Sequence, residues 1–513
     1  MATIIREPSV SIALASAVQA VGNTEQRILV IGQKLAAGTA AAGSLVTDIQ
    51  NNNAWNSVFG EGSILATQID NVRLYNKVTR VDAIPVSDDV GATAATGVVT
   101  VAGAAVAGGS VTVTVGGIKF VVGVANGDTP TIVGAAVAAA ITANAKCAVT
   151  AANVAGVVTL TAKNGGLLGN GITVVVSYSS SGITASITTQ MAGGAVDPVL
   201  TTVLDAIGDA RYQTIVWPYV GQIDVVKNFL DARWNVANNI LDGVAVCVSV
   251  DSYANNSALV SGLNSQSVLM IVDEDESTSS YDAGAVAALP WVTGAQVAAI
   301  RALRLTEGAA IGSFVIARNG ALDRFGGISL ASLPYFNTPL PELPVVPTAL
   351  GWSDSEAESL KADGGSVIGN NISGTGVIFG EMVTTYKTDS ASNADVTFKY
   401  LNYVDTSSVT REYYYNNLKA RFAQSRLTEG ALIVGRAMAN PELIEAFCVQ
   451  MYQELAELAL VQSGEAAIQF FKENLVVMID LSTGTATIQM KQPIVTQLRN
   501  IIATIEIAFS VEG

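Results

Sequence analysis

The sequence predicts a multidomain protein of mixed α/β and α+β class. We expect a mixed-sheet α/β core, an inserted β-rich α+β domain, and terminal strand-exchange arms. The 513 residues exceed one hydrophobic core, since domains average roughly 150 residues. Apolar strands alternate with helices after residue 198, which is typical of a largely parallel sheet. By contrast, Val90–Val196 contains only four charged residues, which indicates an insertion of different composition.

These composition changes divide the chain into segments. We predict an N-terminal arm at 1–24, a core made of 25–88 and 198–350, an inserted domain at 89–197, a C-terminal α+β domain at 351–490, and a C-terminal arm at 491–513.

The first part of the core is predicted to hold two strands and two helices. Arg27–Gly32 is a short apolar strand, and Ile64–Tyr75 is a helix. The polar stretch Thr47–Val58 is also predicted to be helical. Val78–Ile84 is a strand that Pro85 closes, because proline cannot donate to a sheet.

The inserted segment begins with a predicted hairpin. Val111–Val115 alternates and meets Ile118–Val122 across two glycines, a pattern that favours a tight turn. Pro130 after threonine suits the first turn of a helix that runs to about Ala143. Further strands are predicted at Cys147–Ala151, Val157–Ala162, Ile172–Tyr178 and Ile183–Thr189.

The second part of the core repeats strands and helices in alternation. Its predicted helices are Val199–Ile207, Ile223–Trp234 and Tyr253–Leu263. Its predicted strands are Gln213–Trp217, Val244–Val250 and Val268–Val272. Five prolines between Pro334 and Pro347 then indicate an extended connector.

The C-terminal domain is predicted to combine strands with two helices. The strands are Val377–Tyr386, Asp395–Leu401, Leu475–Asp480 and Thr485–Lys491, and the first helix is Arg411–Arg426. The second helix starts at Asn440 and Pro441, which suit its cap and first turn. Apolar residues at helical spacing form one face of that helix, and the opposite face carries Glu442, Glu445, Glu454 and Glu457.

Two terminal segments show the alternation of half-buried strands. In 501–513 one face holds Ile501, Ala503, Ile505, Ile507, Phe509 and Val511. After Pro8 a weaker version places Val10, Ile12 and Leu14 on one face. An apolar strand at a terminus exposes unpaired backbone groups that can pair with another chain. We therefore expect inter-subunit strand exchange, in a protein that works by joining copies of itself.

Composition argues against several functional classes. A net charge of −16 and the lack of any basic cluster argue against direct contact with nucleic acid or with an anionic membrane. The sequence contains no histidine, which removes the usual general base and the commonest metal ligand. Three widely spaced cysteines indicate buried small side chains rather than a disulfide framework. No secretory signal pattern opens the chain.

Few residues suggest chemistry. Asp273–Glu276 follows a predicted strand, where carboxylates could bind magnesium or calcium, but the calcium-loop spacing is absent and a solvated acidic loop is favoured. Asp405 precedes Thr-Ser without the glycine or second copy of an aspartic protease. We predict no catalytic, cofactor-binding or metal-binding residue. The rival hypothesis is a carboxylate-based or metal-dependent enzyme that uses Asp273, Asp275 and their neighbours.

The sequence resembles the tail sheath proteins of contractile-tailed bacteriophages, specifically the Mu-like group. The resemblance spans nearly the whole chain in the expected order. The stretches that carry it are Arg27–Leu35, Val58–Ser63, Gly208–Val216, Glu381–Tyr386, Asp395–Tyr403, Leu418–Arg421, Leu443–Leu458 and Gln497–Phe509. The alanine-rich inserted domain departs from the family pattern.

The resemblance implies a structural subunit that is not an enzyme and uses no cofactor. Subunits would stack as hexameric rings or a six-start helix around the tail tube protein, with baseplate and tail terminator proteins as further partners. Their arms would exchange strands, and contraction would drive the tube through the host envelope for genome delivery. The protein would belong to the virion tail, after assembly in the host bacterial cytoplasm. Its C-terminal domain would lie near the tube, which makes the four glutamates above candidate tube-facing residues.

One alternative remains within the structural class. The same features suit the sheath of a bacterial contractile injection system or another polymerising shell protein.

Overall fold

A computed structural model describes most of the chain. The described residues are 25–180, 182–234, 241–274, 288–305, 314–318, 321–325, 334–340, 343–345, 351–433, 436–497 and 499.

The chain enters the core through two strands and two helices. They are β1 (Arg27–Gln33), α1 (Trp55–Phe59), α2 (Ile64–Tyr75) and β2 (Arg80–Val86). The helix α2 matches its sequence prediction, and the Ser63 hydroxyl caps it by accepting from the Ala66 amide at 3.1 Å.

The inserted segment forms two antiparallel sheets around one helix. Its elements are β3 (Ala94–Gly103), β4 (Gly109–Val115), β5 (Ile118–Val124), α3 (Pro130–Ala143), β6 (Val149–Val154), β7 (Val157–Gly165), β8 (Val174–Tyr178) and β9 (Ile183–Ala192). The sheets have strand orders β6-β7-β3-β9 and β5-β4-β8. They enclose a core of their own, in which Leu289 and Trp291 of the main core also pack. The predicted hairpin and helix are confirmed.

The main core resumes with three strand–helix units. These are β10 (Thr214–Val216), α4 (Ile223–Arg233), β11 (Val244–Asp251), α5 (Tyr253–Ser261), β12 (Val268–Glu274) and α6 (Pro290–Leu305). Shorter elements follow as β13 (Phe314–Arg318), β14 (Ala321–Phe325), β15 (Pro339–Leu340), α7 (Asp354–Asp363), β16 (Gly365–Ser366), β17 (Ile368–Asn370) and β18 (Val377–Phe379).

A six-stranded sheet organises this core. Its order is β16-β12-β11-β10-β1-β2, and every neighbouring pair is parallel. Alternate residues of β1 enter different buried clusters, Ile28 with α2 and α6 on one face and Leu29 with α4 and α5 on the other. Such double coverage explains why its strands are continuous apolar runs. The six named strands are thus parallel, and an antiparallel bridge between Val46 and Ala83 flanks β2, which agrees with the largely parallel sheet that was predicted.

The C-terminal part is mostly helical. It contains α8 (Leu401–Phe422), β19 (Arg426–Leu427), β20 (Met438–Ala439), α9 (Pro441–Glu457), α10 (Glu465–Glu473), β21 (Val476–Asp480) and β22 (Thr485–Gln489). Asn440 caps α9 by accepting from the Leu443 amide at 3.0 Å, as predicted. A fourth buried cluster joins α8, α9, α10 and β21.

Some element predictions are wrong. The helix predicted at Thr47–Val58 is confined to α1, because the amides of Val46 and Ile49 donate instead to the backbone of β2. The strand predicted at Asp395–Leu401 does not form. Tyr400 makes only a single bridge to Val383, and Leu401 already begins α8. The helix predicted at Val199–Ile207 is a 3₁₀ turn over its second half.

Candidate assembly surfaces

The residues predicted to exchange strands lie outside the described residues. They are Val10, Ile12, Leu14, Ile501, Ala503, Ile505, Ile507, Phe509 and Val511. Strand exchange therefore stays a prediction, and the described structure bears on what such strands could pair with.

The hairpin of β21 and β22 has the features of an acceptor sheet. Its five registered pairs are antiparallel, and within the described residues it is a sheet of two strands. Val477 faces the C-terminal core and is buried, whereas Val476 and Met478 are 45% and 49% exposed. A two-stranded sheet is marginal alone, and its open edges favour the addition of further strands.

The segment after this hairpin returns across the subunit. The Gln462 amide donates to the Pro493 carbonyl at 3.0 Å, and the Val495 amide donates to the Leu460 carbonyl at 3.2 Å. Ile494 forms an antiparallel bridge with Val461 between them. The described chain is therefore fastened to its own domain just before the alternating segment 501–513.

The four glutamates of α9 have different surroundings. Glu442 and Glu457 are exposed, while Glu445 and Glu454 are half-buried. Glu454 accepts hydrogen bonds from the Tyr413 hydroxyl of α8 and from Gln450 Nε2, the latter at 2.9 Å. Burial and this carboxylate together raise the pKa of Tyr413. Because helical positions advance about 100° per residue, Glu454 and Glu442 lie on different sides of α9. Glu454 takes part in the packing of α9 against α8.

A buried group of charges joins α8 to the parallel-sheet core. Asp242 lies before β11 and pairs with Arg211 at 3.2 Å and with Arg411 of α8 at 2.6 Å. The Ser408 hydroxyl donates to Asp242 at 2.7 Å, and Arg211 also pairs with Glu412 at 2.6 Å. Burial alone would raise the pKa of Asp242, but the two arginines outweigh it and hold that pKa below its ordinary value.

A second ion pair joins α8 to α6. Arg301 donates to Asp405 at 2.6 Å, and the Tyr335 hydroxyl donates to the other oxygen of Asp405 at 2.6 Å. Arg301 also donates to the Thr214 hydroxyl of β10 at 2.7 Å. Asp405, which sequence alone linked weakly to a protease motif, is fully buried in this network and tethers a helix.

The predicted acidic segment is only partly described. Asp273 is half-buried at the end of β12, and Asp275 and Glu276 lie outside the described residues. Within the described ranges, no three His, Cys, Asp or Glu side chains converge to hold a metal ion. In the same ranges, no helix combines the length and apolarity needed to cross a bilayer.

Within the described residues, the β21–β22 hairpin has two open edges, and buried ion pairs tether α8 to the core. Comparison with known proteins indicates the class of protein to which this chain is similar. The chain is 22% identical over 451 residues to the Mu-like prophage FluMu tail sheath protein of Haemophilus influenzae, covering 86% of this chain and 84% of the relative. The resemblance to Mu-like tail sheath proteins that the sequence predicted is confirmed. No family model matches the chain.

Solved structures are similar at lower identity. The sheath tail protein of Desulfitobacterium hafniense is 12% identical with a TM-score of 0.44, over 96% of this chain and 98% of that one. The sheath tail protein of Listeria innocua is 12% identical with a TM-score of 0.45, over 93% and 94%. A chain of the anti-feeding prophage baseplate in its contracted state is 11% identical with a TM-score of 0.44, over 99% and 100%.

Proposed function

We propose that this chain is the subunit of a contractile phage tail sheath, which polymerises around the tail tube and contracts to drive that tube through the host envelope. The observation that carries the proposal is the similarity to a Mu-like tail sheath protein over 86% of the chain. The subunit acts as a structural element of the virion tail and catalyses no reaction.

Strand exchange is the proposed means of assembly. The alternating segment 501–513 of one copy adds to the β21–β22 hairpin of another, where main-chain hydrogen bonds supply affinity and alternate side chains supply specificity. Exposed Val476 and Met478, on a hairpin whose edges pair with no other described strand, support this acceptor. A strand donated in this way is a heterologous contact, which repeats into rings or helices.

The proposed partners follow from the same architecture. Copies of this chain form hexameric rings or a six-start helix, the tail tube protein fills the bore, and baseplate and tail terminator proteins bind the ends. The exposed Glu442 and Glu457 of α9 are the candidate tube-facing residues. Assembly takes place in the host bacterial cytoplasm.

Electron microscopy of the purified full-length chain tests the proposal. We expect negatively stained tubes or stacked rings at high protein concentration, and co-assembly with the tube protein into filled tubes. A chain that stays monomeric with and without the tube protein would contradict the proposed function.

A further inference from the structure

Arg499 contacts two aromatic rings and a carboxylate of its own subunit. Its guanidinium carbon lies 3.3 Å from the ring centroid of Tyr400 and 5.4 Å from that of Tyr403. Its Nη2 donates to the Tyr403 hydroxyl at 3.2 Å, and its Nε pairs with a carboxylate oxygen of Glu381. Stacking, a hydrogen bond and an ion pair therefore hold one side chain, which is 28% exposed.

The surface that receives Arg499 belongs to the core and to α8. The two tyrosine rings contact each other edge to face at 5.2 Å. The Leu401 amide donates to the Met382 carbonyl at 3.1 Å and the Thr384 amide to the Lys399 carbonyl at 2.7 Å, so the start of α8 is bonded to the strand-like segment that holds Glu381. Glu381 is also 3.7 Å from Lys361 of α7. The residues that contact Arg499 therefore lie on segments that backbone hydrogen bonds join to each other.

Arg499 lies just before the alternating segment, so its contacts bear on where a donated strand would begin. Residues 493–495 are hydrogen-bonded to the domain of α9, and Arg499 contacts a different part of the subunit shortly before the alternating segment begins. Any strand formed by 501–513 therefore leaves from a point that two sets of contacts hold on its N-terminal side. A donor strand whose origin is fixed pays a smaller ordering cost when it pairs, because fewer orientations of the linker are lost.

We propose that Arg499, with Tyr400, Tyr403 and Glu381, is the anchor that fixes the root of the donated strand on the subunit core. The inference rests on the proposed function, since it assumes that 501–513 pairs with a neighbouring copy. Arginine suits the role because its planar guanidinium stacks on an aromatic ring while it binds a carboxylate, which an ammonium does less well.

Three substitutions of the full-length chain test the anchor. Arg499→Ala removes all the contacts, Arg499→Lys keeps the charge but loses the planar stacking, and Lys491→Ala is a control at an exposed position of the same segment. The measurements are the melting temperature of the monomer, the critical concentration for tube formation by light scattering, and the amide hydrogen exchange of 491–499.

The anchor predicts a graded result. We expect Arg499→Ala to melt like the wild type but to need about tenfold more protein to form tubes, with faster exchange in 491–499. Arg499→Lys should lie between the two, and Lys491→Ala should match the wild type. Arg499→Ala forming tubes at the wild-type concentration would overturn the anchor, while leaving strand exchange intact if removal of 501–513 still abolishes tubes. Should the alanine variant fold poorly, wild-type assembly by Arg499→Lys would overturn it equally. A wild-type chain that never assembles would instead overturn the proposed function.

Discussion

At the scale of single residues, the charges that join α8 to the core are the most consequential contacts. Asp242 and Asp405 are buried, and each pairs with arginine from a distant part of the chain. Breaking a buried pair by removing one partner is costly, because the remaining charge stays out of water. These carboxylates therefore fix the position of α8 relative to the parallel sheet.

The first prediction concerns Asp242. Asp242→Asn leaves Arg211 and Arg411 without their shared carboxylate, and we expect the free energy of unfolding to fall by about 3 kcal/mol. Urea unfolding of the monomer measures the change, and Asp205→Asn at an exposed site is the control. A loss in Asp242→Asn no larger than in the control would contradict the structural role.

The second prediction concerns pH. The folded-state pKa of Asp242 lies below its ordinary value, so its stabilising contribution is complete above the unfolded value of about 3.9 and is lost as pH falls through the folded pKa. The stability difference between the wild type and Asp242→Asn should therefore be constant near neutrality and shrink below about pH 4. Urea midpoints measured from pH 7 to pH 3 test this, and a difference that stays constant throughout would refute it.

At the scale of elements, the hairpin and α9 present the surfaces that assembly requires. The outer face of β21 exposes apolar side chains beside an edge that no other described strand pairs with. The outer face of α9 exposes carboxylates. The two surfaces differ in chemistry, so they can be disabled separately.

The third prediction concerns the acceptor hairpin. Met478→Lys places a charge on an edge strand, a device by which sheets resist further pairing. We expect a folded monomer that forms few or no tubes, assayed by sedimentation and microscopy. Val154→Lys, at an exposed valine of the inserted domain, is the matched control and should assemble normally. Equal assembly by the two variants would remove the hairpin as the acceptor.

The fourth prediction concerns α9. The double substitution Glu442→Lys and Glu457→Lys reverses the charge of two exposed positions and should weaken co-assembly with the tube protein more than self-assembly of the sheath. The double substitution Glu429→Lys and Glu473→Lys, at two exposed positions outside α9, makes the same change in net charge and is the control. Co-sedimentation with preformed tubes is the measurement. Unchanged binding by the double variant would contradict the proposal that Glu442 and Glu457 face the tube.

The sequence predicted some elements well and missed others for physical reasons. The strands β11 and β12 could be predicted from their continuous apolar runs, because a parallel sheet is buried on both faces. The helix α6 was not predicted. It is buried on nearly every side, and it includes Arg301 and Arg304, whose partners lie far along the chain. Local periodicity cannot show that an arginine is interior. Glu454 was grouped with exposed glutamates for the same reason, since only tertiary contact with Tyr413 distinguishes it.

At the scale of the whole molecule, the described residues separate four buried clusters. Two lie on opposite faces of the parallel sheet, one fills the inserted domain, and one lies in the C-terminal helices. If neighbouring subunits exchange strands as proposed, each subunit can keep this internal packing while it pivots against its neighbours.

The fifth prediction belongs to this scale. Removal of 501–513 should leave a folded subunit, because each of the four clusters is built from residues earlier in the chain, and it should abolish polymerisation, because the proposed donor strand is then missing. Far-ultraviolet circular dichroism would test folding, and negative-stain microscopy would test assembly. Normal tubes from the truncated chain would refute strand donation by this segment.

The threading of the parallel sheet has a consequence for biosynthesis. The strand β1 pairs with both β2 and β10, and the residues joined across β1 and β10 are 186 positions apart, because the inserted domain is translated between them. The ribosome therefore completes the inserted domain before β10, the strand that pairs with one edge of β1, has been synthesised. Nascent chains of this kind fold slowly and are vulnerable to aggregation. The minimum length of that interval is the time needed to translate the insertion, whose two sheets are complete in sequence before β10 is made.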